Sequence, residues 1–468
     1  MAGVNPAIAA PATTEMGALP PIRRWGPQTR LAIANFPISG EPMPQEVVDA
    51  LVEIKLVAAA VNEREGVIAA DVAAAIRRAA EEVLAGEHLD QFPVDVFQTG
   101  SGTSTNMNVN EVLAHRASEL LGAPVHPNDD VNASQSSNDV FPTAVRLAAG
   151  RLVMTRLVPE LTLLHRSLRT LADRHRTTVK MGRTHLMDAV PMTFGQEVSG
   201  WARSIDLGMR RLADTLPRVF ELPIGGTAVG TGLNAPRGFG AAVADGLARR
   251  SGLGITEAVD HMEAQSAHDA LVELSAMVKV VALSVHKIAG DLRLLSSGPT
   301  GGLAELRLPE LQAGSSIMPG KVNPVIPETV QQVVAQVVGN DATITFAATA
   351  STLQLSTAGP VVARSIVSSI TLLANAVEQL RVRCVDAVEV DVTAMAAYAS
   401  RSPAIVTALA PLIGYDAAAD VVHRAGADGR TVVEVATEVA TALGIPAADV
   451  AAAVDPLTMT GAGRDPGV

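Results

Sequence analysis

The sequence predicts an all-α (mainly α-helical) chain organised around a central bundle of long helices, and three observations carry that expectation. Apolar residues recur at 3.6-residue spacing through 143–174, 194–216, 260–294, 325–350 and 360–390. These runs exceed the usual helix of about 11–12 residues, as bundle helices do. Hydrophobic residues make up 48% of the chain and charged residues only 18%, against roughly 25% in ordinary soluble domains. So little surface charge implies helices buried on more than one face, as inside a large bundle or an oligomer. Finally, glycine, proline and small polar residues are gathered into a few loops between the runs.

A chain of 468 residues exceeds what one compact core accommodates, so several domains are expected. The N-terminal stretch 1–17 reads as a loose Ala/Pro-rich tail without the basic and apolar regions of a signal peptide. Residues 43–88 read as helical, with Val47, Val48, Leu51, Ile54 and Leu56 on an apolar face before a turn at "GEHLDQFP". "QTGSGTSTNMNVNE" (98–111) is rich in turn and cap residues, and a short helix is expected over about 107–122. "GAPVHPNDDVNASQSSNDVFPTA" (122–144) is a second polar stretch that ends like a helix start. The long helices follow, broken at 180–191, 221–236, 296–302 and 312–324. Beyond 393 the helices shorten, with turns at "SRSP", "IGYD", "GADGR" and "LGIP". The expected division is 1–135, a mostly helical N-terminal domain; 136–392, the long-helix bundle; and 393–468, a small helical C-terminal domain.

No uncharged apolar run reaches the roughly 18–20 residues of a spanning helix, and a cytoplasmic protein is expected. The single cysteine, Cys384, excludes an intramolecular disulfide and reads as a small core residue. A net charge of −12 argues against nucleic acid as a partner and repels anions at long range. An acidic substrate would therefore need a few local donors.

The polar loops supply such donors. "GSGTSTNMN", "SQSSND", "GRTH" and "GSSIMPGKVN" offer hydroxyls, amides, an imidazole and an ammonium with little carboxylate. Ser101, Thr103 and Asn106 either bind a ligand or merely cap the following helix. One of Ser136, Ser137 and Asn138 is expected to cap the helix that begins before Val140, and a helix N-terminus is also a ready anion site. His185 directly follows Arg183 and Thr184. His126 in "HPNDD" invites a metal reading with Asp129 or Asp130, but no second histidine stands at ligand spacing. In 312–328, Gly314 and Gly320 free the backbone, Ser315 and Ser316 offer hydroxyls, and Lys321 and Asn323 can hold negative charge. A serine is no base at neutral pH unless backbone N–H groups and an ammonium stabilise its alkoxide.

"GSSIMPGKVNP" resembles the signature of the fumarase/aspartase superfamily, and "TGSGTSTNMN", "HPNDDVNASQSSNDVFPTA", "GRTHLMDAVP" and "GGTAVGTGLN" are similar to its class II fumarases. The likeness runs from about 25 to 461. Aspartases typically have Gln where this chain has His185, "SQSTND" for "SQSSND" and "MPAKVNP" for "MPGKVNP", so the variants side with fumarase. The resemblance implies reversible hydration of fumarate to L-malate in the tricarboxylic acid cycle, without metal or other cofactor. It also implies a homotetramer with a shared multi-helix core, whose sites form where loops of three subunits meet. Carried over position by position, Ser315 is the base, and Lys321 and Asn323 hold the carboxylate of an aci-carboxylate intermediate. His185, oriented by Glu328, positions the water. Ser101, Thr103, Ser136, Ser137, Asn138 and Thr184 hold the substrate carboxylates. His126, Asn128 and Asp129 match a secondary acid site. The chain departs from the pattern in a weak acidic segment before "MG" (16–17) and at Pro27, Thr300 and Ser356. The alternatives are an aspartase-like ammonia-lyase or other lyase acting on a substituted succinate, and a non-catalytic relative; the latter would be expected to lose the loop residues this chain keeps.

Overall fold

The computed structural model describes residues 23–461; the N-terminal tail and the weak acidic segment before "MG" lie outside them. Helices dominate throughout, and the strands amount to one hairpin and a few two-residue pairings.

The N-terminal part comprises α1 (Pro27–Asn35), α2 (Gln45–Arg64), α3 (Ala70–Leu84) and α4 (Thr103–Leu121). α2 is buried nearly all round, with Val47, Val48, Leu51 and Ile54 fully enclosed, because α3, α4 and two later helices, 137–152 and 239–251, all pack on it. The expected helix over 43–88 is thus two helices, separated by a turn at Gly66, whose φ is 72°. Pro27 sits at the first turn of α1, where a missing N–H is no loss. The neighbouring N–H groups of Gly26, Gln28 and Thr29 all donate to the Glu111 carboxylate.

The central part is a bundle of α5 (Ser137–Leu152), α6 (Val158–Arg174), α7 (Phe194–Val219), α10 (Asp269–Leu295), α11 (Val325–Ala348) and α12 (Gly359–Leu380). A π-turn at Val153–Leu157 joins α5 to α6 in one long run. α6 lies against α7, α7 against α10, α10 against α11 and α11 against α12, and α12 closes on α5 and α6. Smaller helices α8 (Phe239–Ser251) and α9 (His261–Ser266) flank it, and α13 (Val392–Arg401) packs across the hairpin of β1 (Val179–Thr184) and β2 (Met187–Thr193). Gly359–Val385 is long and apolar enough to cross a membrane by composition, yet it is largely buried within the protein by its bundle neighbours.

One continuous hydrophobic core extends from Met43 to Met395 and includes Cys384. A second, separate core from Ile405 to Val454 joins the short helices α14 (Ala410–Ile413), α15 (Tyr415–Asp428), α16 (Val432–Ala442) and α17 (Ala447–Ala453). Pro456–Met459 forms a final turn of helix, α18, against β2.

Candidate active site

The polar residues singled out by the sequence fall into three groups, each at the end of a long helix. The first is built on the N-termini of α4 and α5. Gly102 enters α4 with φ 74°, and a Cβ there would lie 2.2 Å from the Phe141 ring, so only glycine lets α5 pack against this turn. Gly102 has no side chain to cap α4, and Gln98 Oε1 accepts the Thr105 N–H at 2.8 Å in its place. Ser101 and Thr103 hydrogen-bond each other instead, 2.8 Å between hydroxyls, which sets aside the reading of them as mere caps. Asn106, fully buried, donates to Ser137 Oγ at 3.0 Å and to Asn132 Oδ1 at 3.2 Å.

Of the three cap candidates Ser136, Ser137 and Asn138, it is Ser136 that caps α5. Ser136 N–H donates to Asp139 Oδ1 at 2.9 Å, and Ser136 Oγ accepts from Asn138 N–H at 3.3 Å. The other Asp139 oxygen accepts the N–H groups of Gly225 and Thr227, each at 3.0 Å, which draws the 225–230 turn over the helix end. Asn138 Nδ2 ties the same turn through Ala228 O at 2.9 Å. Burial pushes the Asp139 carboxyl upward, against backbone N–H groups and the Lys55 ammonium that favour its charge. The two helix N-termini thus lie side by side, above a small and largely apolar cavity bordered by Ser101, Asn138, Phe141, Val145, Leu271 and His268. Their dipoles and hydroxyls suit an anion.

The second group is the β1–β2 hairpin. His185 and Leu186 form its two-residue tip with φ of 56° and 63°, the conformation of a tight hairpin turn. Thr184, His185 and Leu186 are exposed. Ion pairs to the buried Glu305 fix the hairpin along β1: Lys180 near its base, which bonds Glu305 at 3.1 Å and Glu197 at 2.6 Å, and Arg183 beside its tip, at 2.7 Å from Glu305. Arg183 also stacks over Tyr398 of α13.

The third group is the loop before α11. Gly314 is forced, since a Cβ there would meet Lys321 O at 2.0 Å. Asn323 Nδ2 closes the loop on Gly314 O at 2.8 Å, and Ser315 Oγ accepts the Ile317 N–H at 3.3 Å. Lys321 is exposed beside them, and the loop borders a cleft shared with Leu306, Arg307, Tyr398 and Arg401. Glu328, in the first turn of α11, lies 3.8 Å from Arg293.

Among the described residues no hydrogen bond or ion pair joins the three groups within one chain, and His185 and Glu328 do not meet. His126, Asn128 and Asp129 lie on an exposed turn, where His126 Nδ1 accepts the Asp129 N–H at 3.0 Å. His126 belongs to none of the three-ligand clusters found among the described residues; the one such cluster is Glu82, Glu87 and His88.

Of the departures, Ser356 is buried and its hydroxyl lies 2.5 Å from His268 Nε2. Burial, with Arg146 nearby, pushes the His268 imidazole down to about 4, so it stays neutral at ordinary pH. Thr300 is exposed in the 296–302 turn, and nothing in the structure explains it. Sequence reading missed Asp139, Glu305 and Lys55 as organisers of these loops. Lys55 alone left a signal, as one of only five lysines in the chain.

Two family models match, one described as "Lyase" over residues 22–339 and one as "Fumarase C C-terminus" over 405–461. The chain is 51% identical over 418 residues to a class II fumarate hydratase of Pseudomonas putida, covering 88% of this chain and 90% of that protein. It is 50% identical to the class II fumarate hydratase of Corynebacterium efficiens, covering 87% and 86% of the two chains. The solved class II fumarase of Schistosoma mansoni superposes with a TM-score of 0.89 at 36% identity, covering 94% of this chain and 96% of that one.

Proposed function

This chain belongs to the class II fumarate hydratase family, and we propose that it interconverts fumarate and L-malate through a site completed by neighbouring copies of itself. The observation that carries the reading is the nearness of two helix N-termini, joined by the Asn106 bond to Ser137, with the hydroxyls of Ser101 and Thr103 at one and those of Ser136 and Ser137 at the other. That is a receptor for carboxylates on a protein whose net charge is −12.

The chemistry requires loss of a proton from a carbon beside an ionised carboxylate, a very weak acid. Ser315 takes that proton in the malate-to-fumarate direction. Its alkoxide is supported by the Ile317 N–H and by the Lys321 ammonium on the same loop. Lys321 and Asn323 hold the carboxylate that gains charge as the carbanion delocalises into an aci-carboxylate. His185, oriented by Glu328, then positions the hydroxyl on the neighbouring carbon and gives it the proton with which it departs as water. Thr184 and Asn138 complete the carboxylate contacts, and His126, Asn128 and Asp129 form a secondary acid site. The reaction as drawn needs no added metal or cofactor.

The account takes a homotetramer, because the three groups are not joined within one chain. Leu283, Val338 and Phe346 on α10 and α11 are exposed apolar side chains suited to burial between copies. The three-part division at 135 and 392 and a cytoplasmic location belong to the same proposal. Purified protein given fumarate should lose the alkene absorbance without ammonium and yield L-malate. Aspartate formed only when ammonium is added would replace this reading with an ammonia-lyase.

A further inference from the structure

Lys55 lies in the middle of α2 with its side chain entirely enclosed. It has no carboxylate within ion-pair distance among the described residues, and its ammonium donates to two amide oxygens, Asn132 Oδ1 at 2.7 Å and Gln135 Oε1 at 3.0 Å. Burial pushes it down to about 7, so keeping an amine here is costly and calls for a reason beyond packing. The reason is legible in what its partners do next.

Asn132 Oδ1 also accepts from Asn106 Nδ2, and the same Nδ2 donates to Ser137 Oγ. Asn106 is fully buried, and its Oδ1 has no partner. Turning the Asn106 amide over would set that oxygen against Asn132 Oδ1, acceptor facing acceptor. We propose that Lys55 is a positioning residue for substrate binding: by donating to Asn132 it fixes that oxygen as an acceptor, which fixes Asn106 as the donor to Ser137, which leaves the Ser137 hydroxyl proton free to meet a substrate carboxylate. The inference rests on the dicarboxylate reading of the α4–α5 site. Ser137 is the first residue of α5, so its freed proton and the helix dipole act on the same anion.

Gln135 is held in the complementary sense. Its Nε2 donates to Val131 O and Ala133 O, at 3.3 and 3.0 Å, which leaves its Oε1 for Lys55. Gln135 is therefore held by carbonyls that admit only one polarity, and Asn132 by Lys55 together with the Gln135 carbonyl, which accepts its Nδ2 at 3.3 Å. Without the ammonium, Asn132 keeps only its 3.3 Å bond from Nδ2 to Gln135 O to hold its polarity; once that long bond yields, Asn106 can turn over and Ser137 can spend its proton inward.

The test compares wild type with Lys55→Met, each checked for helicity and assembled size. KM for fumarate and the dissociation constant of succinate, a non-reacting dicarboxylate, are measured together with kcat. The expected result is a rise of about 10- to 100-fold in both binding constants, the range lost with one hydrogen bond to a charged group, while kcat stays within about threefold. Unchanged KM and succinate affinity in an assembled Lys55→Met protein would overturn the inference while leaving fumarate hydration standing. A wild-type protein that binds succinate but hydrates nothing would overturn the functional reading alone. Should Lys55→Met fail to assemble, Asn106→Leu removes the donor to Ser137 at the other end of the chain of bonds. It is expected to raise the same two constants, and wild-type values would overturn the inference.

Discussion

Ser315→Ala is expected to lower kcat for fumarate hydration by about 10³-fold or more, beyond the middle of the range for a general base, with helicity and assembled size unchanged. The size of the effect follows from the proton involved. A carbon acid beside an ionised carboxylate loses its proton only to a base placed against it, and the loop offers no second group at that position. Ser316 is exposed next to Ser315 but lacks the Ile317 N–H that Ser315 receives. The loop's shape depends on Gly314 and on the Asn323 bond to Gly314 O, neither of which involves the Ser315 hydroxyl. The substitution should therefore remove chemistry and leave geometry. Steady-state rates on the assembled variant read this directly, and activity within tenfold of wild type would remove Ser315 as the base.

The second large effect is a gain. Ser315→Ala and His185→Asn, each nearly inactive, should recover about a quarter of wild-type activity when mixed one to one, unfolded and reassembled, because random assembly into a symmetric oligomer pairs an intact Ser315 loop with an intact His185 tip at that frequency. The prediction rests on separation. His185 stands at the tip of a hairpin that Lys180 and Arg183 lock to Glu305, while Glu328 points at Arg293. Measured activity in mixed assemblies, confirmed as mixed by mass, decides it. No recovery would mean that both residues serve one chain's site.

Much of this architecture was legible because bundle helices carry long 3.6-residue periodicity, and 194–216 and 325–350 match α7 and α11 to within a few residues. Where polar residues are buried, the reading failed. The start of α4 was expected near 107 but lies at Thr103. Thr105, Asn106, Asn108 and Asn110 are buried there and satisfied in part by tertiary partners such as Gln91 O, so a turn-like composition folds as helix. The hairpin at 179–193 read only as a break between helices. Its buried inward positions include Lys180, made tolerable by Glu197 and Glu305, and a bulge between Met181 and Arg183 spoils the alternation that marks a strand. Glu305 is distant in sequence from the charges it neutralises, so nothing local announced it.

The site residues were legible as loop chemistry, whereas their supports were not. A cap among Ser136, Ser137 and Asn138 could be read from "SQSSND" because capping is local, and it falls on Ser136. The reach of Asp139 to Gly225 and Thr227 could not, since it spans the fold. The same holds for Lys55, whose partners lie almost eighty residues away on another element.

The most direct measurement is proton NMR of the product formed from fumarate in deuterated water without ammonium. L-Malate carrying a single deuterium, at one stereochemical position of the methylene carbon, is the predicted result, since the base delivers one solvent-derived hydron to one face. Unconsumed fumarate, or malate with deuterium scrambled over both positions, would contradict a single preorganised base and with it the central claim.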